Sequence, residues 1–267
     1  MNRRLLGQGR EAEIFEWEPG TVLRLLRDPS ARERAEHQAA AIRAASGSGA
    51  PVAGVRDLIE VDGRPGLVLD RVDGPALMDA LARRPWRLLS IARTLGEVHA
   101  RVHEVRAPDS LPEQRAFLRE RIEAAPDDLP GPLRSFALRV LEGLPGGDRL
   151  CHGDYHVSNV LAGPAGPVVI DWTLVCRGHP TGDFARSLLL TRFGEVPPGT
   201  PLVIRTLRGA GQGVFNRAYE RAYRRKAAVD DPSIERWQVA HVAARFSEGI
   251  MSEYRTLTRF LEARAPG

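Results

Sequence analysis

The residues best suited to chemistry lie in the stretch Cys151-His152-Gly153-Asp154-Tyr155-His156-Val157-Ser158-Asn159-Val160-Leu161. Asp171 follows twelve positions after Asn159, at the end of the apolar run Val168-Val169-Ile170. Phosphoryl transfer needs a carboxylate that orients an acceptor hydroxyl and takes its proton, and oxygen ligands that hold Mg²⁺ against phosphates. In His-x-Asp-x-x-x-x-Asn the Asp and the Asn stand five apart. One tight loop can then set a base and an amide oxygen on the same side of a nucleotide. Asp171, at a strand end and so rigidly held, can supply a carboxylate that chelates the metal. Each residue alone has a simpler reading: Asp154 as a turn or cap residue, Asn159 as a turn residue, Asp171 as a strand-terminal cap. Spacing, flanking strand-like runs and chain order together favour phosphoryl transfer. A rival is a metal hydrolase built on His152, Asp154 and His156, which would make the positions of Asn159 and Asp171 coincidental.

The elements that must position this loop divide near residue 73. Residues 1–72 read as short strands and one helix. Thr21 to Leu26 is strand-like, Ala31 to Ala45 is a helical stretch ended by Ser46-Gly47-Ser48-Gly49, and Val55–Val61 and Gly66–Val72 form a hairpin around Asp62-Gly63-Arg64-Pro65-Gly66. Residues 73–267 read as mainly helical. Leu88, Ile91, Leu95, Val98 and Val102 recur at three- and four-residue spacing, and helical stretches follow at Glu113–Glu123 and Leu133–Leu141. Helical texture resumes at Asp183, with breaks near Pro197-Pro198 and Asp231-Pro232.

His-Gly-Asp-x-x-x-x-Asn followed by Ile170-Asp171-Trp172 resembles the aminoglycoside phosphotransferase and choline kinase family, which shares the protein-kinase-like fold. The resemblance implies an α+β, two-lobe chain, with residues 1–72 as a nucleotide-binding lobe and 73–267 as a catalytic and substrate-binding helical lobe. It implies a small-molecule kinase that uses ATP, with GTP as an alternative, and Mg²⁺. Asp154 would be the catalytic base, Asn159 and Asp171 the Mg²⁺ ligands, and His152 a residue that structures the loop. Asp183, in Gly178-His179-Pro180-Thr181-Gly182-Asp183-Phe184-Ala185, resembles the carboxylate that braces the catalytic loop; it also reads as a helix cap. Gly153 stands where regulated protein kinases usually have Arg, and no Ala-Pro-Glu follows Asp171. Both features favour a small hydroxylated acceptor over a protein.

The resemblance extends toward the N-terminus. Gly7 and Gly9 sit where such kinases fold a hairpin over the phosphates. In the strand Thr21–Leu26, Arg24 occupies the position of the usual lysine, and Lys226 is the only lysine in the chain. Arginine keeps the charge but has another shape. Either Arg24 does the lysine's work, or the protein is a nucleotide-binding regulator with little turnover. Glu36 resembles the carboxylate that pairs with this cation, with Glu33 as rival and a solvated helix face as the plainer reading. Leu67 to Val72, with Asp70 and Val72, resembles the hinge that receives adenine through backbone groups.

Composition narrows the partners. The formal net charge is +4 with 27% charged residues, which implies neither nucleic acid nor a membrane surface, and two cysteines make no disulfide framework. No leader or spanning segment is read, so a cytoplasmic protein is expected. From Trp172 onward fifteen basic residues face nine acidic ones. That disfavours a polycationic antibiotic unless Asp230, Asp231 and Glu235, or Glu248 and Glu253, form a local acidic pocket. His99 and His103, four apart on a helix, suggest core or surface residues, since no third metal ligand is visible. Trp172 reads as packing, and Arg221, Arg224, Arg225 and Lys226 as a solvated face.

Overall fold

Alternation in strand Thr21–Leu26 sets the architecture of the first region. Leu23 and Leu25 point to one face of a sheet, against Val68; Leu26 points to the other, with Leu67, onto Ala31, Ala35 and Ala39. This is the period of two expected of a strand buried on both faces. The computed structural model describes residues 3–193 and 211–266. Its first sheet is antiparallel, formed by β1 (Leu5–Gln8), β2 (Ala12–Glu16), β3 (Thr21–Leu26), β4 (Val55–Val61) and β5 (Arg64–Asp70) in the spatial order β1-β2-β3-β5-β4. Helix α1 (Arg32–Gly47) lies between β3 and β4 in the chain and packs on β4 and β5. Leu23 and Leu67 are fully buried, each contributing about 1.5–3 kcal/mol. Arg24 pairs in register with Leu67 and so shares the α1 face. A slip of one residue would turn its guanidinium away from that face.

The β4–β5 turn is shorter than the sequence suggests. Asp62 and Gly63 both have positive φ, 52° and 72°, as a two-residue mirror-image turn requires. Arg64 and Pro65 already belong to β5, paired with Val61 and Glu60. Pro65 is accommodated because β3 pairs with β5 only from Gly66 onward.

The second region is mainly helical: α2 (Leu77–Arg83), α3 (Leu88–His103), α4 (Gln114–Glu123), α5 (Gly131–Glu142), α6 (Pro180–Phe193), α7 (Gln212–Arg224), α8 (Asp231–Arg245) and α9 (Met251–Glu262). The break expected at Pro197-Pro198 lies outside the described residues. Asp230 caps α8 by accepting the Ser233 N–H at 2.9 Å, and Pro232 occupies its first turn. Helix α3 buries Ile91, Leu95, Val98 and Val102 and crosses α7 closely. Gly96 permits this, because a Cβ there would stand 2.4 Å from the Tyr219 carbonyl oxygen. Trp237 of α8 is fully buried, and α8 packs on α4, α5, α6 and α9.

Two short antiparallel pairs interrupt the helices: β6 (Arg149–Cys151) with β9 (Cys176–Gly178), and β7 (Val160–Gly163) with β8 (Gly166–Val169). The two regions join through Val169 N–H to Pro51 O (2.7 Å). Ala41, Ile42 and Ala45 of α1 share the main hydrophobic core. Among the described residues no helix is long and apolar enough to cross a membrane.

Candidate active site

A cleft of about 1020 Å³ runs between the sheet and the helical region, and Gly7, Gly9, Arg24, Asp154, Asn159 and Asp171 all line it. The structure thus brings together residues that are up to 164 positions apart in the chain.

The loop bearing Asp154 runs from β6 to β7 and is held from beneath. Gly153 has φ +79°, and a Cβ there would lie 2.1 Å from the Leu174 carbonyl oxygen, so no larger residue fits. His152 is buried. Its Nε2–H donates to the Ile170 carbonyl (2.9 Å), and its Nδ1 accepts the Asp154 N–H (3.2 Å). Burial pushes its pKa down, which suits this neutral tautomer. Asp183, in the first turn of α6, accepts the His152 N–H on Oδ2 (2.7 Å) and the Gly153 N–H on Oδ1 (2.8 Å).

The same Asp183 Oδ2 lies 3.1 Å from the Nε2 of both His99 and His103, whose Nδ1 atoms lie 2.6 Å from the hydroxyls of Tyr219 and Tyr223. The sequence offered no third partner for the two histidines; the fold supplies Asp183 from α6, and the three come within metal-binding reach. Yet each imidazole can donate to Asp183 and accept from a tyrosine, leaving no ring nitrogen free. The cluster is a satisfied hydrogen-bond knot. Burial, with His103 beside it, lowers the His99 pKa to about 3. Burial alone would raise Asp183, but the bonds from His103 and His99 hold its carboxyl well below the usual range.

Asp154 is part-exposed at the cleft. Burial works against its charge, but the His156 side chain, Arg186 and His152 outweigh that and hold the carboxyl well below the usual range. His156 Nε2 stands 3.5 Å from its Oδ2, and Arg186 NH2 3.8 Å from its Oδ1. Asn159 Nδ2 donates to the Asp154 carbonyl at 2.8 Å, which leaves the amide oxygen to face other partners. Asp171 has φ +62°, in the left-handed region that Asp tolerates better than most residues. Its Oδ1 accepts from Arg24 NH2 (2.8 Å) and from Thr173 Oγ1.

Arg24 is 7% exposed. It donates through NH1 to Gln38 Oε1 (2.8 Å) and through NH2 to Asp171 and to Thr173 Oγ1 (2.7 Å). The expected pairing with Glu36 is not formed. Glu36 sits on the solvent face of α1 in an i,i+4 pair with Arg32 (3.1 Å), and Glu33 faces His37 at 3.8 Å. Helix phase is the reason: Ala35, Ala39 and Ile42 form the buried stripe, which includes position 38 and excludes 33 and 36. The repeat of the apolar positions could have revealed this. Gln38 Nε2 is buried without a partner. Near the other side of the cleft, the Asp70 carboxylate accepts from Arg56 Nε (2.6 Å) and the Gly54 N–H (3.2 Å). The N–H groups of Asp70 and Arg71 are taken by the Gly54 and Gly20 carbonyls, and Val72 lines the cleft just beyond.

Beyond Asp154 lies a group of charges that motif reading missed, because its members come from four separate segments. Arg121 of α4, Arg186 of α6, Arg245 of α8, Glu248 in the turn that follows it, and Glu253 of α9 form one network. Arg186 also donates through Nε to the Gly153 carbonyl. Burial opposes the charge of Glu248, but Arg186, Arg245 and Arg121 together hold its carboxyl below the usual range. The acidic clusters suggested by the sequence are therefore committed elsewhere: Asp231 to Arg224, Glu235 to Arg264 (2.9 Å), and Glu248 and Glu253 to arginines.

An antiparallel sheet over a helical region, with His-x-Asp-x-x-x-x-Asn and a second Asp meeting in the cleft between them, defines a protein-kinase-like phosphotransferase fold. The chain belongs to the phosphotransferase enzyme family, whose sequence model matches residues 4–225. In three dimensions it is similar to a thermostable mutant of aminoglycoside phosphotransferase APH(4)-Ia in its apo form, with 18% identity, TM-score 0.67, and coverage of 98% of this chain and 93% of that one. It is also similar to aminoglycoside-3'-phosphotransferase of type VIII, with 18% identity, TM-score 0.62, and coverage of 90% and 92%. A third similar structure is the GDP and kanamycin complex of APH(2")-IIia, with 16% identity, TM-score 0.60, and coverage of 98% and 91%. At these identities the likeness speaks to the fold. A search of curated protein sequences returned no significant match.

Proposed function

We propose that the chain is a Mg²⁺-dependent small-molecule kinase that moves the γ-phosphoryl group of ATP to an acceptor hydroxyl, with Asp154 as the catalytic base. The observation that carries this reading is the convergence of Asp154, Asn159, Asp171 and Arg24 on one cleft. Asp154 accepts the hydroxyl proton as the acceptor oxygen bonds to phosphorus and the bridging bond to ADP breaks. The two carbonyl-type oxygen donors, Asn159 Oδ1 and the Asp171 carboxylate, suit a hard cation, and both residues line the cleft. Mg²⁺, when bound, would neutralise charge developing on the phosphates. Arg24 would hold the phosphates in place of the usual lysine, and Gly7 and Gly9 would let the β1–β2 turn approach them closely. Adenine would meet the backbone near Asp70 and Val72. Residues 1–72 would then form the nucleotide lobe and residues 73–267 the acceptor lobe.

Similar structures were solved with AMP-PNP and hygromycin B and with GDP and kanamycin. These support a nucleotide and leave GTP as an alternative donor. A second reading, a nucleotide-binding regulator with little turnover, is favoured by one contact: Arg24 is bonded to Asp171 itself. Thermal stabilisation by ATP with Mg²⁺, followed by ADP release with hydroxylated metabolites, tests the kinase reading. Absence of stabilisation would overturn it. Stabilisation by nucleotide with no ADP release that Asp154→Ala abolishes would select the regulator.

A further inference from the structure

Resting on the kinase reading above, we infer that the acceptor is a small hydroxylated molecule that also carries an anionic oxygen group, carboxylate or phosphate, close to its reacting hydroxyl. Arg121 and Arg186 receive that group. Both line the cleft beside Asp154, together with Ser247 and Glu248. Arg121, Arg186 and Arg245 meet Glu248 and Glu253, with Asp154 as a third carboxylate 3.8 Å from Arg186, but the close hydrogen bonds among them are unevenly shared. Arg245 takes both oxygens of Glu253, through Nε and NH2, and reaches Glu248 Oε2 at 3.0 Å through NH1. Arg186 NH2 and Arg121 NH2 are left to share Glu248 Oε1, at 3.0 Å and 3.3 Å. Arg121 adds neutral partners, the Ser247 hydroxyl at 3.1 Å from its Nε and the face of the Phe117 ring. Two guanidiniums that share one carboxylate oxygen form a receiver for a second oxyanion, because the planar fork matches carboxylate and phosphate geometry. The site is largely shielded, with side-chain exposures of 19% for Arg121 and 8% for Arg186, so an incoming anion gains more than it would on an open surface.

The same wall opposes a polycation. Its carboxylates are saturated by arginine, and Asp154 is reserved for the hydroxyl. Geometry also limits the acceptor. Arg186 NH2 lies 3.8 Å from Asp154 Oδ1, so the anionic group sits near the hydroxyl, as in hydroxy acids, sugar acids and sugar phosphates. In the transfer the hydroxyl oxygen bonds to the γ-phosphorus, the bridging bond to ADP breaks, the proton passes to Asp154, and the anionic group is unchanged.

The test is equilibrium binding to protein saturated with AMP-PNP and Mg²⁺, using matched probes: gluconate and glucose 6-phosphate, glycerate and glycerol 3-phosphate, the neutral parents glucose and glycerol, and kanamycin. At least one anionic probe should bind about ten-fold or more tightly than its neutral parent and than kanamycin. The tighter of carboxylate and phosphate identifies the group. Arg121→Gln should weaken that probe about ten-fold while AMP-PNP affinity is retained, and Arg121→Lys should weaken it less. If Arg121→Gln does not fold, Arg121→Lys and Ser247→Ala carry the test, each requiring a selective loss of the anionic probe. Preference for glucose, glycerol or kanamycin, no binding of any anionic probe, or equal weakening of all probes would overturn the proposal. Failure of AMP-PNP and Mg²⁺ to bind in the first place would instead strike the kinase reading, and this inference with it.

Discussion

The guanidinium of Arg24 lies 2.8 Å from the Asp171 carboxylate, bridging the sheet and the helical region across 147 positions of sequence. Its other arm rests on Gln38, a neutral residue. The cation therefore leans on the carboxylate proposed to hold Mg²⁺, and the two must share it or exchange places. Gln38→Glu would give Arg24 a charged partner on α1 and release Asp171. The Mg²⁺ concentration for half-maximal stabilisation by ATP should fall about five-fold, on the order of 1 kcal/mol. Arg24→Met should weaken ATP about ten-fold or more. Thermal-shift titrations read both, and an unchanged Mg²⁺ requirement in Gln38→Glu would contradict the coupling.

Asp154→Asn should lower kcat roughly a hundred- to ten-thousand-fold while ATP still binds, since only proton acceptance is lost. The wild-type carboxyl is held low by His156, Arg186 and His152 against the effect of burial. It is therefore charged throughout the neutral range, and the acid limb of kcat/KM should fall below the ordinary carboxylate pKa of about 3.9. Removing the first of those partners, in His156→Ala, should move that limb upward. A limb unmoved by His156→Ala would show that another group titrates.

The Asp183 knot predicts both a large stability loss and a direction with pH. Asp183→Ala strands the N–H groups of His152 and Gly153 and frees both histidines. It should cost about 3–5 kcal/mol in denaturant unfolding. Burial lowers His99 and His241 to about 3, so the unfolded chain binds protons that the folded chain refuses. Stability should decline as pH falls below about 6.5, by roughly 1.4 kcal/mol per histidine per pH unit. Asp183, whose folded pKa is depressed, adds its own loss at still lower pH. His99→Phe should shallow the slope, and a stability flat between about pH 6.5 and 4 would refute the assignment.

Gly153→Ala should displace the loop bearing Asp154, since its Cβ would meet Leu174 O at 2.1 Å and its φ is +79°. The expected cost is about 1–3 kcal/mol in stability, with kcat falling more than ATP affinity. A variant with wild-type kcat would mean that the loop tolerates the shift.

What the chain declares by itself is what depends on neighbours in sequence. His152, Asp154, Asn159 and Asp171 were legible because one loop and one hairpin carry them at constant spacing. The alternation of β3 likewise sends Arg24 to the opposite face from Leu23 and Leu25. The stripe of α3 was legible from its period alone. Glu36 was misread for a local reason: the motif pointed to a carboxylate, whereas the helical repeat of Ala35, Ala39 and Ile42 turns position 38 inward. Only the tertiary structure decided the rest. Asp183 meets His99 and His103, and Arg121, Arg186, Arg245, Glu248 and Glu253 meet one another, across helices that no spacing relates. Charge counts summed along the chain treat those carboxylates as available for an acceptor. Burial and pairing, which exist only once the helices pack, commit them to arginine.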